Sequence, residues 1–346
     1  MLPENRIRFR NIILIILICI LFGLLYNFSF YPHTLIEFLE AGTISIFIGL
    51  FLGMLEEFTF KKFFLKISFY KVLLTRTILY SLLISIILSF VLSIEISITE
   101  QISYPKALIQ YIRSPLFQRD YLFSISFVFL VLFIIQVIQL IGSANFLRLI
   151  LGVYHKPREV SRVYMFLDLK DSTLIAEKLS NLTYSNLIKE FIFDISDAII
   201  MYKGEIYQYV GDEIVVVWPI RGSNLNCIRC FFKMNEIIEE KRNIYKEKYN
   251  LQPEFKAGIH VGQVIMAEVG KLKKEIVYHG DVLNTTSRIE GKCNELNQQL
   301  LISKDMLQYI SHENEFIIED KGEIALKGKS KKLCLYGVRI AKKTTK

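Results

Sequence analysis

Apolar residues fall into long unbroken runs before about residue 150 and into short alternating runs after it. The first run, Asn11 to His33, carries no Asp, Glu, Lys or Arg and follows Arg6, Arg8 and Arg10. A cleavable signal peptide opens the same way, but no Ala-x-Ala-like site follows and the run is long enough to span a bilayer. The pattern predicts membrane-spanning helices over 12–31, 36–55, 75–94 and 121–142. The second is the weakest, because only Ala41 to Leu55 is free of charge and Glu37 and Glu40 must then sit at the outer interface.

The charges between these runs set an orientation, since basic residues collect on the cytoplasmic side. The first connection holds Glu37 and Glu40 without a basic residue, and the second holds Lys61, Lys62, Lys66 and Lys71. The third, 95–120, votes weakly with Lys106, Arg113 and Arg119 against three acids, and Arg148, Lys156, Arg158 and Arg162 follow the fourth span. Four spans with both termini and the second half of the chain in the cytoplasm satisfy this pattern. The stretch 95–120, with Tyr104-Pro105 and Ser114-Pro115, is read as the longest outer connection. Val137, Leu140, Ala144, Leu147, Leu151 and Tyr154 alternate spacings of three and four. This is either the seam of a short parallel coiled coil or a chance pattern on an apolar helix. Pro157 ends that helix. The chain therefore divides into a membrane domain at 1–142, a helical linker at 143–158 and a second domain at 159–346.

In the second half, Arg162 to Asp168 reads as a strand, and Thr173–Leu179 and Tyr184–Tyr202 as helices broken at Gly204. Glu205–Val210 and Glu213–Trp218 flank Gly211-Asp212 as a hairpin. Cys227–Tyr249 reads as one helix, Glu254–Glu268 and Ile276–His279 as strands, and Val282–Asn294 as a helix. The remainder is mostly strand with a short helix near 304–310. Strands and helices in this order form an α+β domain, one sheet with helices packed against it.

Composition agrees with the division. Over 346 residues, 52% are hydrophobic, and the excess lies in the first 150. The net charge of +8 is scattered or lies beside apolar runs, so topology and anionic lipid account for it and nucleic acid is not implied. Cys227 and Cys230 form a lone Cys-x-x-Cys without a second pair, which points to small apolar helix residues rather than zinc. A transporter reading is disfavoured by the few polar groups inside the spans.

Two strand ends deliver aspartates about forty residues apart, Asp168 and Asp212, and such a pair can hold divalent metal over a phosphate. Each also has a plain structural reading, a helix N-cap for Asp168 and a hairpin-turn residue for Asp212. Asn284 and Arg288 lie one helical turn apart and share a face. Together, Phe166-Leu-Asp168 with Ser172-Thr173, Val210-Gly-Asp212, Lys256-Ala-Gly-Ile-His260-Val-Gly262 and Gly280-Asp281-Val-Leu-Asn284-Thr-Thr-Ser-Arg288 occur in order across 160–340. By these motifs the stretch resembles the class III nucleotidyl cyclase domain.

The resemblance implies a ferredoxin-like α+β catalytic domain behind the four-helix membrane domain, converting ATP to 3′,5′-cyclic AMP and pyrophosphate. It implies two Mg²⁺ or Mn²⁺ ions on Asp168 and Asp212, with the turn Leu169 to Thr173, including Ser172 and Thr173, against the phosphates. Asn284 would orient the ribose, Arg288 would offset charge on the α-phosphate, and Lys327 would hold the triphosphate, with Lys329 or Lys331 as alternatives. Metal aspartates and the Asn/Arg pair would come from different subunits, so a homodimer with two composite sites follows. Asp171 departs from the small residue common there. The base-reading positions are Gln208 and Val277, neither of them the usual residue. A glutamine amide can serve adenine or guanine, and the absence of the usual guanine-reading glutamate favours ATP over GTP. A non-catalytic, nucleotide-binding module is the reading of another class. His260 is read as a packed strand residue and His279 as lying near the nucleotide.

Overall fold

The computed structural model describes residues 3–30, 34–60, 68–141, 152–153, 156–220, 225–272, 274–310, 315–329 and 332–341. The chain forms two compact units, Met1–Ile141 and Gly142–Lys346.

The first unit is helical: α1 (Pro3–Phe30), α2 (Leu35–Leu55, continued by a π-helical turn at Glu56–Phe60), α3 (Phe69–Thr99), α4 (Tyr104–Arg113) and α5 (Pro115–Ile141). Four stretches are long and apolar enough to cross a membrane: Asn11–Phe30, Leu35–Phe58, Tyr70–Thr99 and Pro115–Ile138. Many of their large apolar side chains are exposed in the isolated unit, as expected of surfaces that face lipid tails rather than water. Gly49 and Gly53 of α2 bring it onto Ile16 and Ile12 of α1, a small-residue spacing that permits close helix approach.

The stretch 95–120, read from the sequence as a connection between spans, is itself mostly helical. There α3 continues to Thr99, α4 follows almost at once, and α5 starts at Pro115. The physical reason lies in the two prolines, which sit in the first turns of α4 and α5. Proline there loses no helical hydrogen bond and its fixed φ suits the helix start. The coiled-coil seam and the linker at 143–158 fall largely outside the described residues.

The second unit is built on an eight-stranded mixed sheet in the order β2-β3-β1-β4-β6-β8-β7, with β5 paired to β4. Its strands are β1 (Arg158–Leu169), β2 (Glu205–Val210), β3 (Glu213–Pro219), β4 (Phe255–Val269), β5 (Glu275–His279), β6 (Leu300–Ser303), β7 (Phe316–Ile324) and β8 (Leu333–Ile340). Between them lie α6 (Ser172–Lys178), α7 (Asn181–Met201), α8 (Leu225–Glu240), α9 (Arg242–Tyr249), α10 (Asp281–Gly291) and α11 (Lys304–Leu307). The first four strands, ordered β2-β3-β1-β4, are the split βαβ arrangement of ferredoxin-like folds. The stretch 227–249, read as one helix, is broken at Lys241 into α8 and α9.

Alternation along β1 decides what each face does. Val163, Met165, Leu167 and Leu169 point into the main core, where α7 and α8 cover them with Phe191, Ile195, Ile228 and Phe231. Cys227 and Cys230 are buried there too. Tyr164 and Phe166 point to the opposite face with Val215, Val217, Met266 and Tyr278, and Asp168 continues that second series. On β4 the same face carries Lys256, Gly258, His260 and Gly262.

The two glycines let α10 lie against the strand. A Cβ on Gly258 would stand 2.4 Å from the backbone nitrogen of Glu290, and one on Gly262 would stand 2.6 Å from Val282 Cγ2. Gly258→Ala is therefore expected to lower the stability of this unit by about 1–3 kcal/mol through overpacking. The readout is thermal loss of native fluorescence from Trp218, the chain's single tryptophan, which is buried on β3. An unchanged midpoint would show that α10 can back away freely.

Candidate active site

The site forms where β1 ends and the β2–β3 hairpin turns. The hairpin loop is two residues long, with Gly211 at φ 65°. Glycine takes that left-handed conformation without strain, and the turn hands Asp212 to the same edge as Asp168. Across the ladder, Asp168 pairs in register with Lys256, so these two side chains stand side by side on the face covered by α10. Lys256 Nζ lies 3.5 Å from Asp168 Oδ2 and 2.9 Å from Glu290 Oε1.

This one ammonium faces a surplus of acid. Burial, then the hydrogen bond to Asp212 and the charges of Glu290 and Asp212, push the Asp168 carboxyl up to about 6 against the pull of Lys256. Burial, followed by Glu290, Asp168 and Asp212, pushes Glu213 up to about 7. Glu290 is also raised, by burial first, although Lys256 opposes it. For Lys256 burial acts downward, but Glu290 and Asp168 outweigh it and hold the ammonium charged. Asp212 Oδ2 is buried and has no hydrogen-bond partner.

An orphaned carboxylate oxygen beside a second, partly protonated carboxylate is the environment a divalent cation would relieve. Among the described residues no cluster of three or more His, Cys, Asp or Glu side chains is arranged to hold a metal. Two carboxylates completed by substrate phosphates and water is the usual donor set for Mg²⁺. The residues fit the cation on those terms.

Ser172 opens α6, and Tyr184 on α7 hydrogen-bonds it while feeling the charges of Asp212 and Asp168. Asp171 is the N-cap at φ 57°, a left-handed position tolerated best by Gly, Asn and Asp. The helix that follows is only seven residues long.

The other predicted residues gather elsewhere. Asn284 is exposed and Arg288 half-buried on α10. Glu290, two residues beyond Arg288, necessarily turns to another side of the helix. Arg288 lies against the loop after β7, with Nη2 3.3 Å from where a Cβ on Gly328 would stand. Its charge registers on Asp281 and is absent among the influences on Asp168. The neighbouring acids are engaged elsewhere, Glu290 by Lys256 and Glu295 by Lys292. Lys329 is engaged by Asp281, whose carboxyl is held low chiefly by that contact, while Lys327 is exposed.

Gln208 is exposed on the edge strand β2, opposite Val215, and Val277 is half-buried on β5, opposite Ala267. The strands that carry them meet through Tyr207, whose hydroxyl accepts from the Tyr278 amide at 3.2 Å. His260 Nδ1 hydrogen-bonds Ser303 Oγ at 2.8 Å, and burial pulls its imidazole down to about 4. It is therefore neutral at physiological pH. His279 is exposed at the end of β5.

Sequence reading missed Glu213, Glu290, Lys256 and Tyr184 as members of this neighbourhood. The signal for Lys256 and Glu213 was present in strand parity, since each shares a face with Asp168. Glu290 and Tyr184 depend on helix packing that periodicity alone does not fix.

Strand-end acids on a split βαβ sheet, with an Asn/Arg helix on the same face, define a nucleotidyl cyclase domain by fold class. Residues 154–339 match the adenylate and guanylate cyclase catalytic domain, and the chain belongs to that family. It is 37% identical over 210 residues to Adenylate cyclase 2 of Rhizobium meliloti (strain 1021), covering 60% of this chain and 58% of the relative. Adenylate cyclase 1 of the same organism is 27% identical over 188 residues, covering 50% of this chain and 27% of that one. The chain thus spans less than two thirds of either relative. Among solved structures, the adenylyl cyclase CyaB from P. aeruginosa aligns with a TM-score of 0.48 at 20% identity, over 54% of this chain and 98% of that chain.

The raised Asp168 carboxyl has a consequence for stability. A group whose pKa rises on folding favours the folded state below its unfolded pKa and loses that contribution as pH climbs through the folded value. Asp168→Asn is therefore expected to raise the melting midpoint of the metal-free protein at pH 8 by on the order of 5 °C. At pH 4 the gain should vanish. A melting midpoint lowered at pH 8 would show that Asp168 is held by favourable contacts instead.

Proposed function

We propose that the chain is a membrane-anchored class III cyclase that converts ATP to 3′,5′-cyclic AMP and pyrophosphate as a homodimer, with its catalytic unit in the cytoplasm. The observation that carries this is the acid pair at the strand ends: Asp168 and Asp212 share one site, and Asp212 leaves an oxygen without a partner. Adenylate cyclases among its relatives support the same chemistry.

Asp168 and Asp212 would hold two Mg²⁺ or Mn²⁺ ions. Bound there, the ions would neutralise phosphate charge and acidify the ribose 3′-hydroxyl. In the reaction the 3′-hydroxyl loses its proton to solvent, its oxygen bonds to the α-phosphorus, and the bond from that phosphorus to pyrophosphate breaks, pyrophosphate leaving with the electron pair. Asn284 would hold the ribose so that the attack is in line, and the Arg288 guanidinium would take up charge on the α-phosphate as it develops. Lys327 is favoured over Lys329 as the triphosphate ligand, because Lys329 already serves Asp281. Ser172 and Thr173 would contact the phosphates beside the acid pair.

The homodimer is supported by the division of the site. Within one chain, Arg288 faces the loop at Gly328 and the acid pair faces Lys256 and Glu290, so each chain offers two half-sites. Gln208 offers an amide at the edge strand, and the absence of a carboxylate there favours adenine.

Three outcomes are expected of purified full-length protein. With Mn²⁺, ATP turns over faster than GTP; GTP faster by more than about tenfold would reverse the assignment of base. Asp212→Ala costs on the order of a thousandfold in turnover, and undiminished cyclic nucleotide output would end the metal assignment and favour a non-catalytic module. Mixing Asp212→Ala chains with Arg288→Ala chains, each inactive alone, restores roughly a quarter of wild-type activity through one intact site per mixed dimer. No recovery on mixing would exclude sites shared between subunits.

A further inference from the structure

The four-helix unit contains a cavity of about 210 Å³ at the end where α1 finishes and α2 begins. This is below the roughly 300–1,000 Å³ of drug-sized sites, which suits a small ligand. Its lining is mostly apolar and aromatic, with Phe22 and Phe127 among the residues, and Glu37, Glu40 and Glu95 line it as well. Among the described residues that line it there is no Lys, Arg or His.

Acids alone would not make a site, but Asn27 adds a separate observation. Its side chain lines the cavity, is only 5% exposed, and leaves Oδ1 without a hydrogen-bond partner. Its Nδ2 is already used, donating to the Glu37 carbonyl at 3.3 Å. Glu37 Oε2 is likewise buried without a partner. A buried acceptor left unpaired costs about 1–3 kcal/mol, and here two acceptors share one cavity. Asp120, also at the wall, is accounted for differently: Tyr111, Tyr26 and Arg119 all donate to it.

The chemistry of the two unpaired acceptors defines the ligand. Both orphans are acceptors, so the ligand must donate, and a quaternary ammonium has no N–H to give. A bare divalent ion is disfavoured because the described acids do not converge as a metal-holding group. The acids on its lining favour a cation, and the aromatic rings favour an apolar or aromatic body beside it. We propose that this cavity binds a small primary amine with an apolar or aromatic body, its ammonium held by Asn27 Oδ1 and the Glu37 carboxylate. The site is independent of the cyclase reaction, and a binding measurement tests it whether or not that reading holds.

The test uses the full-length chain in nanodiscs of zwitterionic lipid, with binding followed by calorimetry. Phenethylamine is the probe, and 2-phenylethanol and 3-phenylpropionate are the neutral and anionic controls with a similar apolar body. Saturable phenethylamine binding at least about tenfold tighter than either control is expected. Glu37→Gln should weaken it at least about tenfold, Asn27→Leu at least about fivefold, and Asn27→Asp should tighten it. Weakening by one variant and tightening by another cannot both arise from misfolding. Equal binding of the three probes, no saturable binding of the amine, unchanged affinity in Glu37→Gln and Asn27→Leu, or weakened binding in Asn27→Asp would each overturn the proposal.

Discussion

The catalytic unit depends on an electrostatic imbalance left standing at the edge of its central sheet. Lys256 sits between Asp168 and Glu290, Asp212 and Glu213 add further acid beside that pair, and the ammonium offsets only part of the charge. Burial raises the cost of each ionised carboxylate, which is why Asp168 moves to about 6 and Glu213 to about 7. A fold that merely needed a stable strand end would place an apolar residue or an N-cap there. Retaining like charges in a half-buried corner makes sense when a cation completes it, and the family to which the chain belongs catalyses phosphoryl chemistry.

Geometry at the neighbouring strand makes the corner possible. Glycine at 258 and 262 removes two side chains from β4, and α10 settles into the space with its backbone against the strand. That position brings Glu290 over Lys256 and turns Arg288 to the other side, toward Gly328. One helix therefore serves two purposes: one face steadies the acid corner and the other presents Asn284 and Arg288 away from it. The same packing that stabilises the unit also separates the acid pair from Asn284 and Arg288, and in the proposed homodimer a second copy of the chain would reunite them.

Much of this was legible in the sequence because it follows from local rules. The alternation at 162–168, the Gly211-Asp212 turn between apolar runs, and the four-residue spacing of Asn284 and Arg288 each constrain geometry over a few residues. The order of four motifs then identified the fold. What escaped was whatever depended on packing between distant segments. Glu290 lies close to Arg288 in sequence, yet the helix phase sends it to Lys256 on β4. Within the connection 95–120 the helix Tyr104–Arg113 was not read from the sequence, because prolines and charges interrupt the apolar pattern there. Proline interrupts a helix only from inside, and here both stand at helix starts, so the interruption marks a boundary between helices.

Comparing the acids of the two units shows how structural and functional carboxylates can be told apart on physical grounds. Asp120 is nearly inaccessible, but three donors from α1, α4 and α5 converge on it, so its charge ties helices together and leaves nothing for a ligand. Asp212 is less buried and yet keeps an oxygen with no donor, beside a carboxylate that burial and charge have made reluctant to ionise. Glu37 and Asn27 belong with Asp212 in this respect. Burial by itself does not separate the classes, and neither does charge. The discriminating quantity is the balance between acceptors brought to one place and donors supplied there, because a folded chain has no reason to leave a deficit unless something else makes it up.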